Sequence, residues 1–275
     1  MSRESNATLP KLLTGALSKD ELELLPGGWQ ILGDIIIVSI PPQLRARKYV
    51  IGEALLKFYP RCKTVLRMRR ISGPYREPNV EVIAGNDTET IHKENGCRFK
   101  LDATKIMFSP GNLDERKRMS KLGKDEIVVD MFAGIGYFSI PMAVHSKPKK
   151  IVAIEVNPLA YRYLCENVQL NKVGDIVQPV HGDCAIKTPV GIADRAIMGS
   201  FEAFHHLAHG INALKPGGIL HYHETTPEKL CFGRPINRII ATAEMLGKSV
   251  KIQKSHKVKK YSPGVWHIVI DAQVF

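Results

Sequence analysis

"IVVDMFAGIGYFSI", residues 127–140, rises through an apolar run to Asp130 and then breaks into glycines. An apolar run that ends in a Gly-x-Gly turn is the entry to many nucleotide-binding sheets, because glycine lets the backbone bend tightly and approach a ligand. The segments that follow keep one rhythm. Strand-like "KIVAIEV" (150–156), "IVQPVHGD" (176–183), "ADRAIMG" (193–199) and "GGILHYHE" (217–224) are separated by helix-like stretches such as "PLAYRYLCENVQLN" (158–171). Alternation of this kind predicts a parallel α/β sheet covered by helices on both faces. The last two strands, "SVKIQKSHKV" (249–258) and "VWHIVIDAQVF" (265–275), are joined through "KKYSPG". That link is too short for a crossover helix, so this pair is expected to be antiparallel.

Upstream the pattern is looser and suggests a boundary near residue 90, with a small N-terminal α/β domain (1–90) and a larger domain (91–275). The first holds a possible helix "SKDELELL" (18–25), a strand "DIIIVSI" (34–40), helix-like "RKYVIGEALLKFYP" (47–60), and strands "KTVLRM" (63–68) and "NVEVIAG" (79–85). "ENGCRFKLDATKIMFSPGN" (94–112) then reads as a hairpin turning at Asn95-Gly96, leading into a loop and a charged helix.

Composition bounds the class. Of 275 residues, 44% are hydrophobic and 24% charged, the balance of a soluble globular protein with an ample core. The start "MSRESNATLPKLLTGAL" has no apolar leader and no later run is long enough to cross a bilayer, so a cytoplasmic protein is expected. Five scattered cysteines without a C-x-x-C pair argue against a disulfide framework or a cysteine zinc site. Thirty-nine Lys and Arg against 27 Asp and Glu give +12, an excess that favours a polyanionic partner. Three clusters carry it: Arg67, Arg69, Arg70 and Arg76; Arg116, Lys117, Arg118, Lys121 and Lys124; and Lys248, Lys251, Lys254, Lys257, Lys259 and Lys260.

The strand ends sharpen the ligand. Gly134 and Gly136 are present, but Ser139 stands where G-x-G-x-x-G would place its third glycine. Glu155 ends the next strand, where such sheets put the acid that accepts both ribose hydroxyls. Asp183 and Cys184, in "HGDC", fall where an adenine edge would lie. Acids at strand ends also cap the helix that follows, and both readings stay open here.

"VVDMFAGIGYFSI", "AIEVNP", "HGDC" and "LKPGG" resemble the class I S-adenosylmethionine-dependent transferases. "FSPGNLDERKRM", "IMG", "LHYHETTPEKL" and "KKYSPGVWHIV" narrow the resemblance to an RNA-modifying group. That group holds archaeal-type tRNA guanine-N1 methyltransferases and the wybutosine-pathway aminocarboxypropyltransferases; the archaeal members of the latter are the nearer match. The resemblance implies a Rossmann-like, seven-stranded, mostly parallel sheet with an antiparallel last strand. It implies S-adenosyl-L-methionine as donor, bound through Asp130, Phe132, Ala133, Gly134, Gly136, Glu155, Val156, Asn157, Asp183 and Cys184, with Ser109 and Arg116 also in contact. It also implies the anticodon region of tRNA(Phe) as partner, the N-terminal domain as a tRNA dock, and a monomer.

One departure bears on the reaction. Methyltransferases acting on guanine or adenine nitrogens commonly have an Asn-Pro element at the end of the fourth strand, whereas this strand runs "DRAIMGSFEAF" (194–204) with no amide side chain. The missing amide favours a different transfer from the same donor, and the resemblance implies which: the 3-amino-3-carboxypropyl group, moved to a ring carbon of the tricyclic wyosine-type base beside the anticodon, with tRNA guanine-N1 methylation as the alternative. A nicotinamide-dependent dehydrogenase is disfavoured by the missing third glycine, and a catalytically silent RNA-binding module is the other contrasting class. No base is singled out among Glu202, His205 and His223. His205/His209 and His221/His223 have metal-compatible spacings without a third ligand, so no metal is expected. Trp266 reads as a core anchor of the last strand.

Overall fold

A computed structural model describes residues 8–72 and 77–275. Residues 1–7 and Arg76 of the first basic cluster lie outside the described residues, as does the side chain of Arg70. The chain divides into two compact units, one holding the residues up to Lys93 with Phe99–Phe108, the other Glu94–Arg98 with Ser109–Phe275.

The first unit contains α1 (Leu9–Leu13), α2 (Lys19–Glu23), β1 (Gln30–Leu32), β2 (Ile35–Val38), α3 (Lys48–Phe58), β3 (Thr64–Ser72) and β4 (Glu77–Ala84). Ser18 starts α2 through a capping box with Glu21, in which each side chain meets the other residue's backbone N–H. The strands lie in the order β1-β2-β3-β4, with β2 and β3 parallel on either side of α3 in the chain. Ile36, Val38, Leu55, Val65 and Ile83 form part of its core. β5 (Glu89–Glu94) and β6 (Cys97–Asp102) follow as a hairpin. Asn95 and Gly96 take φ 47° and 74°, the pair of positive values that a two-residue hairpin turn requires.

The second unit runs α4 (Leu113–Met119), β7 (Ile127–Asp130), α5 (Ser139–His145), β8 (Lys150–Glu155), α6 (Pro158–Leu170), β9 (Val177–His181), α7 (Cys184–Lys187), β10 (Ala193–Met198), α8 (Leu207–Ala213), β11 (Leu214–Pro227), α9 (Gly233–Met245), β12 (Val250–Ser262) and β13 (Val265–Val274). Its sheet has the order β12-β13-β11-β10-β7-β8-β9. Pairs β11–β10, β10–β7, β7–β8 and β8–β9 are parallel, while β13 runs antiparallel to both β11 and β12. The chain-end pair is thus antiparallel, as its short link predicts. Adjacent residues feed opposite faces: Val128 joins Met119, Met142 and Leu164, and Val129 joins Leu220, Tyr222 and Ile270. From β7 the chain winds to β8 on one side and later to β10 on the other, which opens a crevice at their carboxyl ends. Among the described residues no helix is long and apolar enough to cross a membrane.

Candidate active site

The glycine turn lies in that crevice. Gly134 and Gly136 have φ 58° and 97°; a Cβ at Gly134 would stand 2.5 Å from the Tyr137 ring, and one at Gly136 2.5 Å from Ile140 Cδ1. Both positions therefore demand glycine. Ala133 ties the turn to the neighbouring strand through its N–H to the Ile154 carbonyl at 2.9 Å. Glu155 spans the crevice, accepting from Gly134 N–H at 2.8 Å and Asn157 N–H at 2.7 Å. Burial raises its pKa against the pull of those backbone donors. Asn157 in turn caps α6, accepting from Leu159 N–H at 2.9 Å, with Pro158 as the first helical residue.

Asp130 is wholly buried and accepts from the Ser139 hydroxyl at 2.6 Å; burial pushes its pKa up to about 6. Ser139, the residue at the third-glycine position, thus partners the strand-end acid. Asp183 caps α7 through Ala185 N–H at 2.8 Å, one of its two sequence readings. Donor atoms of Asp183, Cys184 and His206 lie within 4.8 Å of one another, the arrangement of a possible cation site. Burial pushes the Cys184 thiol up to about 12, which keeps it in the protonated form that binds metals poorly. The Phe132 ring sits 5.8 Å from His206, and Val156 is exposed at the mouth. The glycine turn, Glu155 and the Asp183-Cys184 corner therefore gather at consecutive strand ends, and the donor set has a nucleoside's polarity: carboxylates for hydroxyls and an amine, apolar walls for a ring.

Ser109 and Arg116 come from the segment leading into and along α4. Arg116 is buried and grips Glu94 with Nε and Nη2 at 2.6 and 2.7 Å, while Nη1 donates to the Ser109 carbonyl at 3.0 Å. Lys259 Nζ donates to the Ser109 hydroxyl at 2.5 Å. The sequence reading missed Glu94, which precedes a hairpin turn, and placed Lys259 only within a basic run, where no spacing marks its contact with Ser109.

Beneath the crevice runs a buried polar seam. Arg195 pairs with Glu126 at 2.6 Å and donates to His221 Nε2 at 2.5 Å; His221 Nδ1 lies 2.6 Å from Asp271. Because Nε2 accepts, the ring proton is on Nδ1 and donates to Asp271. Arg118 bridges Asp271 and Glu115, each at 2.7 Å, and His256 lies 2.9 Å from Glu115. For Glu115 burial alone would raise the pKa, but the hydrogen bonds of His256 and Arg118 outweigh it and hold the carboxyl well below its usual range. His223 pairs with His267 at 3.1 Å, and burial holds its pKa down at about 4. Arg116 and Arg118 are thus internal fasteners, as is Arg67, which pairs with Glu81 at 2.8 Å. Of the clustered lysines, Lys117 on α4, Lys121 and Lys124 after it, and Lys251, Lys254, Lys257 and Lys260 on the edge strand β12 face water. Trp266 packs against the core as expected, with Lys257 Nζ 4.4 Å from its ring centroid.

Residues 9–88 match the family described as TYW2 N-terminal domain, and residues 90–252 the TRM5/TYW2 methyltransferase domain. A Methanocaldococcus jannaschii protein named tRNA(Phe) (4-demethylwyosine(37)-C(7)) aminocarboxypropyltransferase is 45% identical over 89% of this chain and 97% of its own. A Pyrococcus abyssi tRNA (guanine(37)-N(1))-methyltransferase, Trm5b, is 39% identical over 91% of this chain and 76% of its own. The crystal structure of Pyrococcus horikoshii TYW2 in complex with MeSAdo superposes with a TM-score of 0.89 at 40% identity, covering 97% of this chain and 98% of that one. The chain belongs to the TRM5/TYW2 family.

Proposed function

We propose that the chain transfers the 3-amino-3-carboxypropyl group of S-adenosylmethionine to a ring carbon of the tricyclic wyosine-type base beside the anticodon of tRNA(Phe), a step of wybutosine-derivative synthesis that releases methylthioadenosine. The carrying observation is the end of β10. Met198-Gly199-Ser200 offers no amide to a guanine edge, and a Cβ at Gly199 would stand 2.8 Å from the Phe138 ring, so there is no room there for the side chain that nitrogen methylation commonly uses. The relative named for transfer to C7 of 4-demethylwyosine matches this chain nearly end to end, which supports the same reading.

Bound in the crevice, S-adenosylmethionine supplies three electrophilic carbons on one sulfonium, and the pocket selects among them by orientation. The chain's own part is positional. Glu155 accepts the ribose hydroxyls while it pins Gly134, and Asp183 with Cys184 meets the adenine edge. Gly134 and Gly136 keep the turn clear of side chains, and the Ser109–Arg116 segment faces the methionine arm. Outside the crevice, the water-facing lysines of α4, its following loop and β12 take tRNA phosphates, and residues 1–90 dock the same tRNA. A single copy suffices.

The test uses donor labelled in its carboxyl carbon or in its methyl group, with tRNA(Phe) carrying the tricyclic base. Carboxyl label should enter the tRNA and methyl label should leave as methylthioadenosine. Methyl transfer with release of S-adenosylhomocysteine would replace this reading by guanine-type methylation.

A further inference from the structure

Outside the three basic clusters of the sequence, three more cations gather at the start of α9. Arg234, Asn237, Arg238 and Ala241 recur at helical spacing on one face of that helix. With Gly233 at its first position and Lys229 in the turn before it, they line an open cavity of about 560 Å³. Glu224, buried, accepts from Arg234 Nε at 2.8 Å and from Arg238 Nη1 at 2.9 Å, so one carboxylate answers two guanidinium groups. Lys229 is exposed and has no ion-pair partner among the described residues. The acid beside it, Glu228, is bonded to Lys257 and Trp266. Three cations against one carboxylate leave the cavity positive. No side chain caps α9, which leaves its first N–H groups for an acceptor from outside the helix. A phosphate is the anion that guanidinium forks and free N–H groups suit.

The turn Ala203–His206, just past the end of β10, joins this cavity to the crevice. On one side His206 lies 5.8 Å from the Phe132 ring of the glycine turn; on the other Arg238 stands 4.5 Å from the centre of the Phe204 ring. Phe204 is exposed and its ring centre is 3.7 Å from that of His205. His205, Phe204 and Arg238 are thus a short stack of planar groups that reaches water, a platform that a base of a single-stranded nucleic acid can extend. A cationic cavity beside a planar stack matches the two halves of a nucleotide. We propose that this surface holds a nucleotide of the acceptor RNA that flanks the target base, its phosphodiester among Lys229, Arg234 and Arg238 and its base on the Phe204 stack. This rests on the reading of a tRNA as acceptor.

Fluorescence anisotropy tests it with end-labelled tRNA carrying the tricyclic base, intact or with one neighbour of that base made abasic. Phe204→Ala should weaken the intact RNA roughly 5- to 150-fold, and the loss should vanish when one of the two neighbours is abasic. Lys229→Met should lower both the affinity and, by about one, the slope of log K against log salt. Gly233→Asp sets a carboxylate in the cavity at a place where a Cβ meets no atom within 4 Å. It should weaken the RNA roughly 10-fold or more yet melt no lower than the wild type, because an acid suits the first turn of a helix. All three variants should bind S-adenosylmethionine within about twofold of the wild type, which certifies the fold and the crevice. Unchanged RNA affinity in Phe204→Ala and Lys229→Met would overturn the assignment, as would a Phe204→Ala loss that persists with either neighbour abasic. Saturable binding of inorganic phosphate that Lys229→Met abolishes, with RNA binding intact, would give the cavity to a free anion and overturn it too. Failure of the wild-type protein to bind the RNA at low salt would instead sink the acceptor reading and this proposal with it.

Discussion

Replacing Glu155 by glutamine exchanges one oxygen for an NH2 group at a place where both oxygens are in use. The carboxylate accepts from Gly134 N–H at 2.8 Å and from Asn157 N–H at 2.7 Å. In the variant one of these donors must face another donor. A buried donor left without an acceptor costs about 1–3 kcal/mol. Part of this is recovered, because burial already disfavours the charged form of Glu155 and the amide carries no charge. A net loss of about 1–2 kcal/mol should lower the melting midpoint of a chain of this size by roughly 2–8 °C. Ligand binding should suffer separately. Losing a charge-assisted acceptor for the ribose is worth about 1.5–3 kcal/mol, or roughly 10- to 150-fold in affinity. Scanning calorimetry without ligand reads the first effect; titration with S-adenosylmethionine and with methylthioadenosine reads the second. Both ligands share the ribose, so both should weaken by the same factor. A variant that melts like the wild type and binds both within twofold would refute the assignment of Glu155 as clamp and ribose acceptor. A loss for S-adenosylmethionine alone would move Glu155 to the arm.

Acid should destabilise the protein through its buried imidazoles. His223 titrates at about 4 when folded against about 6.5 unfolded, so its contribution is complete above pH 6.5 and about 3 kcal/mol is lost as pH falls to 4. Asp130 works the other way: with a folded pKa of about 6 against 3.8, it adds about 3 kcal/mol on acidification through the same window. Denaturant titrations between pH 7 and 4 should therefore show Asp130→Asn losing more stability on acidification than the wild type and His223→Asn losing less or gaining, and parallel curves for all three proteins would contradict the burial argument. tRNA affinity should fall steeply with salt. About five phosphate contacts give a slope near −4 in log K against log salt, and a flat dependence would remove the lysine-rich surface from the interface.

The large sheet was legible because its central strands carry apolar runs and three strand ends carry their own punctuation: Gly134 and Gly136, Asn157-Pro158, Asp183 before a helix. Local signals of this sort survive in a one-dimensional reading. The Asn95-Gly96 turn is another. β1, with only three residues in "QIL", falls below the length at which periodicity speaks, and "LPKLL" gives too short a helix to announce itself. The site was legible where it follows chain order and hidden where it depends on pairing across distance. "ERKRM" has the look of a phosphate clamp, yet two of its arginines are neutralised by Glu94 and Asp271, distant in sequence and brought close only by the hairpin and by β13. His221 and His223 share a strand face, as alternation requires, but nothing in "HYHE" tells that their partners are Asp271 and His267.

The polar seam also constrains how pieces of this chain can be exchanged with those of related proteins. Its members come from Glu126, β10, β11, α4, β12 and β13, and each link satisfies a charge or lone pair that would otherwise be buried alone. Removing one partner of such a pair costs about 3–5 kcal/mol, a large share of a typical domain's stability. A chimera joined after residue 213, taking its C-terminal strands from one parent and α4 from another, would mismatch Arg118 with Asp271 and Glu115 with His256 unless both parents carry the same charges. Crossovers in a recombination library should therefore survive when α4, Glu126 and β10 travel with β11–β13. The seam marks these strands and that helix as one inheritable block despite the roughly hundred residues that separate them in the chain.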